Sequence, residues 1–93
     1  MRTIERTSQF KRDYKREAKG RYRNILNSDL KNVLQMLATD KPLELHHYDH
    51  PLNGDWKDHR DCHIKPDLIL IYQKPDQITL RLVRLGSHSE LGF

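Results

Sequence analysis

The sequence contains one cysteine, Cys62, so no internal disulfide can form. That excludes a disulfide-stapled secreted scaffold and fits a reducing cytoplasm, the expected location. No apolar run approaches the roughly 18 residues of a membrane span, and the N-terminus lacks the apolar core of a secretion signal. A soluble protein with no membrane partner is expected. Cys-x-x-Cys and His-Glu-x-x-His are both absent, which removes the usual structural zinc site and the helical zinc-protease site. Glycine and proline number four each, with no repeat or low-complexity segment, so no linker or repeat array is expected. Only 35% of the 93 residues are hydrophobic, enough for one thin core and a single domain over residues 1–93.

Charge, by contrast, is plentiful and unevenly placed. Nine of the 17 basic residues lie between Arg2 and Arg23, opposed there by only Glu5, Asp13 and Glu17, so this quarter carries a net +6 and the remainder −2. Lys11, Arg12, Lys15, Arg16 and Lys19 crowd one short segment of it. Such asymmetry suits an electrostatic face for a polyanion. A solvated helix with its basic side chains turned to water is the plainer alternative.

Hydrophobic periodicity predicts a β-α-α-β-β-β order, an α+β fold with two N-terminal helices on one face of a small, largely antiparallel sheet. Residues 2–7 suit an edge strand. Ser8 suits an N-cap, followed by Phe10, Tyr14 and Ala18 as a narrow apolar stripe, with Gly20 ending the helix. A second helix is expected over Tyr22–Ala38, where Ile25, Leu26, Leu30, Val33, Leu34 and Leu37 share a face. Residues 39–53 form a long polar loop containing His46, His47, Tyr48, Asp49 and His50. After Gly54 a strand is expected with Trp56, Cys62 and Ile64 on one side and Lys57, His59, Asp61 and His63 on the other. Pro66-Asp67 makes a turn, and Leu68–Tyr72 is apolar throughout, as a central strand covered on both faces would be. A second turn over Lys74–Gln77 leads to a last strand in which Ile78, Leu80 and Leu82 alternate, with a bulge or end near Val83–Leu85. The tail after Gly86 is too short to pack as an element, and the sheet face away from the helices is expected to stay open.

Six histidines in so short a chain are its most unusual feature. Five lie between His46 and His63, and His88 is near the C-terminus. Imidazole serves as acid or base near neutral pH and also binds metals. The spacings fit no functional metal site, so acid–base chemistry is the sharper reading, with surface or structural histidines as the plain one. Histidines, carboxylates and cations on an open face suit RNA cleavage without a metal or other cofactor. A base takes the ribose 2′-OH proton, that oxygen attacks phosphorus, and an acid protonates the departing 5′-oxygen. DNA lacks the 2′-OH and would be spared. His63 and Asp61 share the expected open face, His50 and His88 reach it from loop and tail, and Arg84 is the candidate for holding the phosphate. Asp67 serves equally well as a turn residue.

From His50 to Tyr72 the order His-Pro-Leu, Gly-x-Trp, Arg-Asp-x-His, Pro-Asp, Ile-Leu-Ile-Tyr, followed by Arg84-x-Gly86-x-His88, resembles the YafQ family of bacterial toxins within the RelE/ParE superfamily. The resemblance implies a microbial-ribonuclease-like RelE fold and cleavage of messenger RNA in the ribosomal A site. It also implies ribosomal RNA and messenger RNA as partners and neutralisation by a cognate antitoxin, with operator DNA reached only through that complex. Carried over by position, His50, His63, Asp67 and His88 match the family's catalytic residues, and Asp61 and Arg84 its supporting ones. The family's terminal phenylalanine, matched to substrate stacking, normally follows the last histidine by four residues. Here Gly92 holds that place and Phe93 is one further on. Either the aromatic is displaced, or Leu91 packs while Phe93 stacks. A non-enzymatic ParE-like inhibitor of DNA gyrase is the alternative on the same scaffold, and it has no use for the histidines.

Overall fold

The computed structural model describes all 93 residues. Five strands form one sheet in the order β1-β5-β4-β3-β2. These are β1 (Thr3–Arg6), β2 (His50–Pro51), β3 (Arg60–Lys65), β4 (Leu68–Gln73) and β5 (Thr79–Gly86). Only the β1–β5 pair is parallel; the other pairs are antiparallel. Helices α1 (Ser8–Glu17) and α2 (Lys31–Ala38) cover one face, and a single turn, α3 (His88–Leu91), follows β5. The expected α+β arrangement is present, with β2 and α3 added.

β4 behaves as its unbroken apolar run demands. Leu68, Leu70 and Tyr72 face Phe10, Leu26, Leu30, Val33 and Leu37 in the main core, while Ile69 and Ile71 face Leu91 on the opposite side. Leu52, Trp56 and Val83 pack onto that second, smaller cluster. The face away from the helices is therefore partly roofed, which corrects the expectation of an open sheet. The tail is what roofs it: Ser87 accepts from Glu90 N–H while Glu90 reaches back to Ser87 N–H, a capping box that makes one helical turn of residues 88–91.

Other departures have local causes. The N-cap of α1 is Thr7, whose hydroxyl accepts from Phe10 N–H at 3.0 Å and donates to the Val83 carbonyl at 2.8 Å. The buried stripe of α1 is Phe10, Asp13 and Glu17, and Ala18 is exposed. Before α2 the chain winds through a 3₁₀ turn at Arg23–Ile25 and a π turn at Leu26–Leu30. Asn27, Ser28 and Asp29, poor helix formers that compete for backbone hydrogen bonds, sit in that irregular stretch. Trp56 lies on the opposite side of the sheet from Cys62, because a 3₁₀ turn at Gly54–Trp56 and a left-handed Asp58 (φ 70°) break the alternation. The bulge near Val83 is present: Ile71 pairs with Arg84 and Tyr72 with Leu82, leaving Val83 as the extra residue.

β1 pairs only with Thr79–Leu82, so the outer edge of β5 beyond that point needs other partners. Helix α1 provides them. Asp13, 3% exposed, accepts Leu85 N–H at 3.0 Å, and Arg16 Nη2 donates to the Leu85 carbonyl at 2.9 Å. Burial alone would push the Asp13 carboxyl up, but hydrogen bonds from Arg84 and Leu85 N–H and the charges of Arg84 and Arg16 hold it below the usual carboxylate range. Its folded pKa lies below the unfolded value, so this stabilisation is full above the ordinary carboxylate range and is lost as pH falls below that range through the folded pKa. Asp13→Asn is expected to cost about 3 kcal/mol at pH 7, because it strands buried donors. Urea unfolding at pH 7 and at pH 3 checks this, and the gap between the two proteins should narrow at the lower pH.

Candidate active site

β3 and the segments at either end of it bring three histidines together. His63 is on β3 across from Ile69, and His50 on β2 pairs with Asp61. His88 opens α3. The His63 and His88 rings meet edge to face at 5.6 Å. Together with Asp61, Tyr48 and Phe93 they line a cleft of about 310 Å³ whose floor is Leu52 and Ile69. Asp49, one residue before His50, ties the long loop to the sheet. It accepts from the buried Tyr72 hydroxyl at 2.6 Å and from Arg60 at 3.2 Å.

Two of the imidazoles are oriented by groups that can only accept. His50 Nδ1 lies 2.7 Å from the Tyr48 carbonyl, so Nδ1 carries the hydrogen and Nε2 is the free edge. His88 Nδ1 lies 2.7 Å from Asp67 Oδ1, which also accepts His88 backbone N–H at 3.0 Å. Those two hydrogen bonds hold the Asp67 carboxyl below its usual range. Asp67 thus sits behind His88 as its anchor, combining the turn role and the site role. His47 is engaged elsewhere, donating Nδ1–H to the His63 carbonyl at 2.7 Å. His46 stacks on His47, and His59 packs edge-on against Trp56. Three of the six histidines therefore converge and three do not.

Asp61 is only 4% exposed. His50 Nδ1 approaches its Oδ1 to 3.1 Å, but that N–H is aimed at the Tyr48 carbonyl, so the distance is that of an ion pair without an aligned hydrogen bond. Burial pushes the Asp61 carboxyl up, opposed by the charges of His50 and His63. A buried carboxyl under three imidazoles can exchange charge with them within one cleft.

The basic residues divide. Lys11, Arg12, Lys15 and Lys19 are exposed, as expected of a basic face. Arg16 is not part of that face. It is tied to Asp13, Glu17 and Glu90 at 2.8–3.0 Å, and its close passage past Gly86 leaves 2.8 Å where a Cβ would stand. Arg84 donates Nε and Nη2 to Asp13 at 2.7 and 3.3 Å and does not line the cleft. Gly92, left-handed at φ 79°, turns the chain so that Phe93 N–H reaches the His88 carbonyl at 2.9 Å. Leu91 is buried and Phe93 lines the cleft, so the extra residue is absorbed without removing the aromatic. Sequence reasoning missed Asp13, although its place three residues after Phe10 puts it on the buried side of α1. It also gave Tyr48 no role in the site, and no pattern in the sequence marks one.

A small mixed sheet, two helices on one side and a histidine cleft on the other describe a class that comparison with known proteins defines. The family profile described as "Bacterial toxin of type II toxin-antitoxin system, YafQ" matches residues 2–92. The mRNA interferase toxin YafQ of Escherichia coli K12 is 40% identical over 91 residues, 97% of this chain and 95% of that protein. The toxin in the crystal structure of the E. coli DinJ-YafQ toxin-antitoxin complex superposes with a TM-score of 0.82 at 40% identity, over 97% of this chain and 96% of that one. A metal-bound toxin from Helicobacter pylori superposes with a TM-score of 0.80 at 47% identity, over 98% of this chain and 99% of that one. The protein is thus a toxin of the type II toxin–antitoxin class. Within that class it belongs to the YafQ family.

Asp61→Asn separates the carboxyl's charge from its shape. The Asp61 pKa is raised on folding, so the wild type is favoured below the unfolded value and loses that advantage as pH rises through the folded one. Asn has no such loss. The variant is expected to be more stable at pH 7 by on the order of 1 kcal/mol, with the difference vanishing in acid. Thermal unfolding across pH 4–8 checks it, and an unchanged or lower midpoint at pH 7 contradicts it.

Proposed function

We propose that this chain is a ribosome-dependent endoribonuclease, the toxin of a type II toxin–antitoxin pair, acting in the cytoplasm and halting translation by cutting messenger RNA in the A site. The observation that carries the reading is the convergence of His50, His63 and His88 over the buried Asp61, with Asp67 orienting His88. One imidazole takes the 2′-OH proton and a second, protonated, delivers a proton to the departing 5′-oxygen. His50 and His88 offer Nε2 for this, their Nδ1–H groups being committed to Tyr48 and Asp67. Charge growing on the phosphate is met by the imidazolium, while Arg84, bound to Asp13 outside the cleft, holds the strand end that carries His88. No three His, Cys, Asp or Glu side chains group as a metal ligand set. These proton transfers need no metal ion, although a related toxin is metal-bound.

Lys11, Arg12, Lys15 and Lys19 dock on ribosomal RNA phosphates, a contact blind to sequence. A DinJ-like antitoxin encoded as the toxin's partner covers the toxin, in line with the E. coli complex, and operator DNA is reached only through that complex. No helix is long and apolar enough to cross a membrane.

Purified protein added to ribosomes programmed with a short messenger is expected to make cuts that need the ribosome and survive EDTA pretreatment of the toxin. His50→Ala and His88→Ala should each slow cleavage by about 10²–10⁴-fold, and Asp67→Asn by less, since it removes an anchor and leaves the ring. Primer extension maps the cuts. An intact messenger at every codon, together with inhibition of purified gyrase, would move the assignment to the ParE-like inhibitor. Replacing both Lys15 and Lys19 by Gln should flatten the salt dependence of ribosome binding, measured by co-sedimentation at rising KCl; an unchanged slope removes those lysines from the interface.

A further inference from the structure

Tyr48 stands out among the cleft residues. Its backbone is left-handed (φ 48°, ψ 47°) where it ends the 3₁₀ turn at Leu45–His47, its N–H bonded to the Leu45 carbonyl at 3.0 Å. The residue is 64% exposed, so no core packing holds its ring where it is. The ring lies 4.6 Å from that of His50 and edge-on to His63 at 5.7 Å. The same residue's carbonyl fixes the His50 tautomer. Phe93, 48% exposed, is the other aromatic ring of the same cleft. About 310 Å³ is near the lower end of single-ligand pockets, the size of one nucleotide.

We propose that Tyr48 is a nucleobase-stacking residue, forming with Phe93 the aromatic walls of a subsite for one RNA nucleotide whose sugar and phosphate lie on the histidines. This rests on the reading of the cleft as an RNA-cleaving site and adds to it the residue that seats the base. Exposed rings bind bases through their π-faces with little regard to sequence, so the subsite takes any of the four bases. The left-handed turn that ends the 3₁₀ segment leaves the ring on the cleft and the carbonyl on His50, so one residue seats the base and orients a histidine.

Tyr48→Gly isolates the ring. Glycine accepts the left-handed backbone and keeps the carbonyl on His50, so the thermal midpoint should not fall. KM for programmed ribosomes should rise about tenfold or more with kcat little changed. Tyr48→Phe and Tyr48→Trp should stay within about threefold of wild type. In parallel, adenosine 5′-monophosphate added to the folded protein should shift the Tyr48 and Phe93 ring protons upfield in NMR spectra, and ribose 5-phosphate, lacking a base, should not. Wild-type KM in Tyr48→Gly, or unshifted Tyr48 protons when the nucleotide shifts His63, would overturn the subsite and leave the nuclease reading intact. Tyr48 ring shifts with no cut on any programmed ribosome would support the subsite while sinking the nuclease reading.

Discussion

Between Val83 and Gly86 the last strand has no strand on its outer side, and beyond the Thr7 hydroxyl on Val83 the Asp13 carboxylate takes that place. It accepts Leu85 N–H, pairs with Arg84 and faces Arg16, which in turn donates to the Leu85 carbonyl. An edge strand left with unpaired backbone groups is both unstable and prone to pairing with other chains, so α1 acts here as a side-chain substitute for a strand. The C-terminal end of the chain depends on this anchor. Gly86 ends β5 against Arg16, Ser87 caps α3, and α3 carries His88 into the cleft and Leu91 onto the second cluster. Loosening Asp13 would therefore reach the site through the strand end that positions His88, with no direct contact to a substrate.

The two site carboxylates show how environment divides one chemistry into two tasks. Asp67 sits in a turn, accepts two hydrogen bonds from His88 and is held as an anion. Asp61 is buried with one oxygen lacking an aligned donor, and burial pushes its carboxyl up. The first fixes a ring in place, and the second sits beneath the histidines as a charge they must share. A buried polar atom without a partner costs stability, and the fold retains one where three imidazoles meet. Under the proposed nuclease reading, that is the cost in stability a site shaped for reaction would carry.

Much of this is legible in local pattern. The Leu68–Tyr72 run announces a strand buried on both faces, the alternation of Asp61 and His63 puts them on one face, and the order of short motifs names the family. Pattern fails where the backbone leaves regular repeats. Alternation assigns Trp56 to the wrong face because a 3₁₀ turn and a left-handed Asp58 intervene before β3, and alternation has no meaning across such a break. The tail looks structureless because a single helical turn has no periodicity to detect, although Ser87 and Glu90 already spell its capping box. Arg16 and Arg84 look like free cations because their acidic partners, Asp13, Glu17 and Glu90, are distant in sequence or hidden on a helix face.

By itself, then, the sequence determined the order of the main helices and strands, the central strand, the family and the small set of histidines and carboxylates from which a site is built, because each depends on short-range spacing. Only the tertiary structure decided which three histidines converge, that Asp67 stands behind His88, that Asp13 closes the open end of β5, and that Tyr48 and Phe93 share one cleft. Those are contacts between residues up to 72 positions apart, as between Asp13 and Leu85, and they exist only once the sheet has brought β3, the long loop and the chain end onto one face.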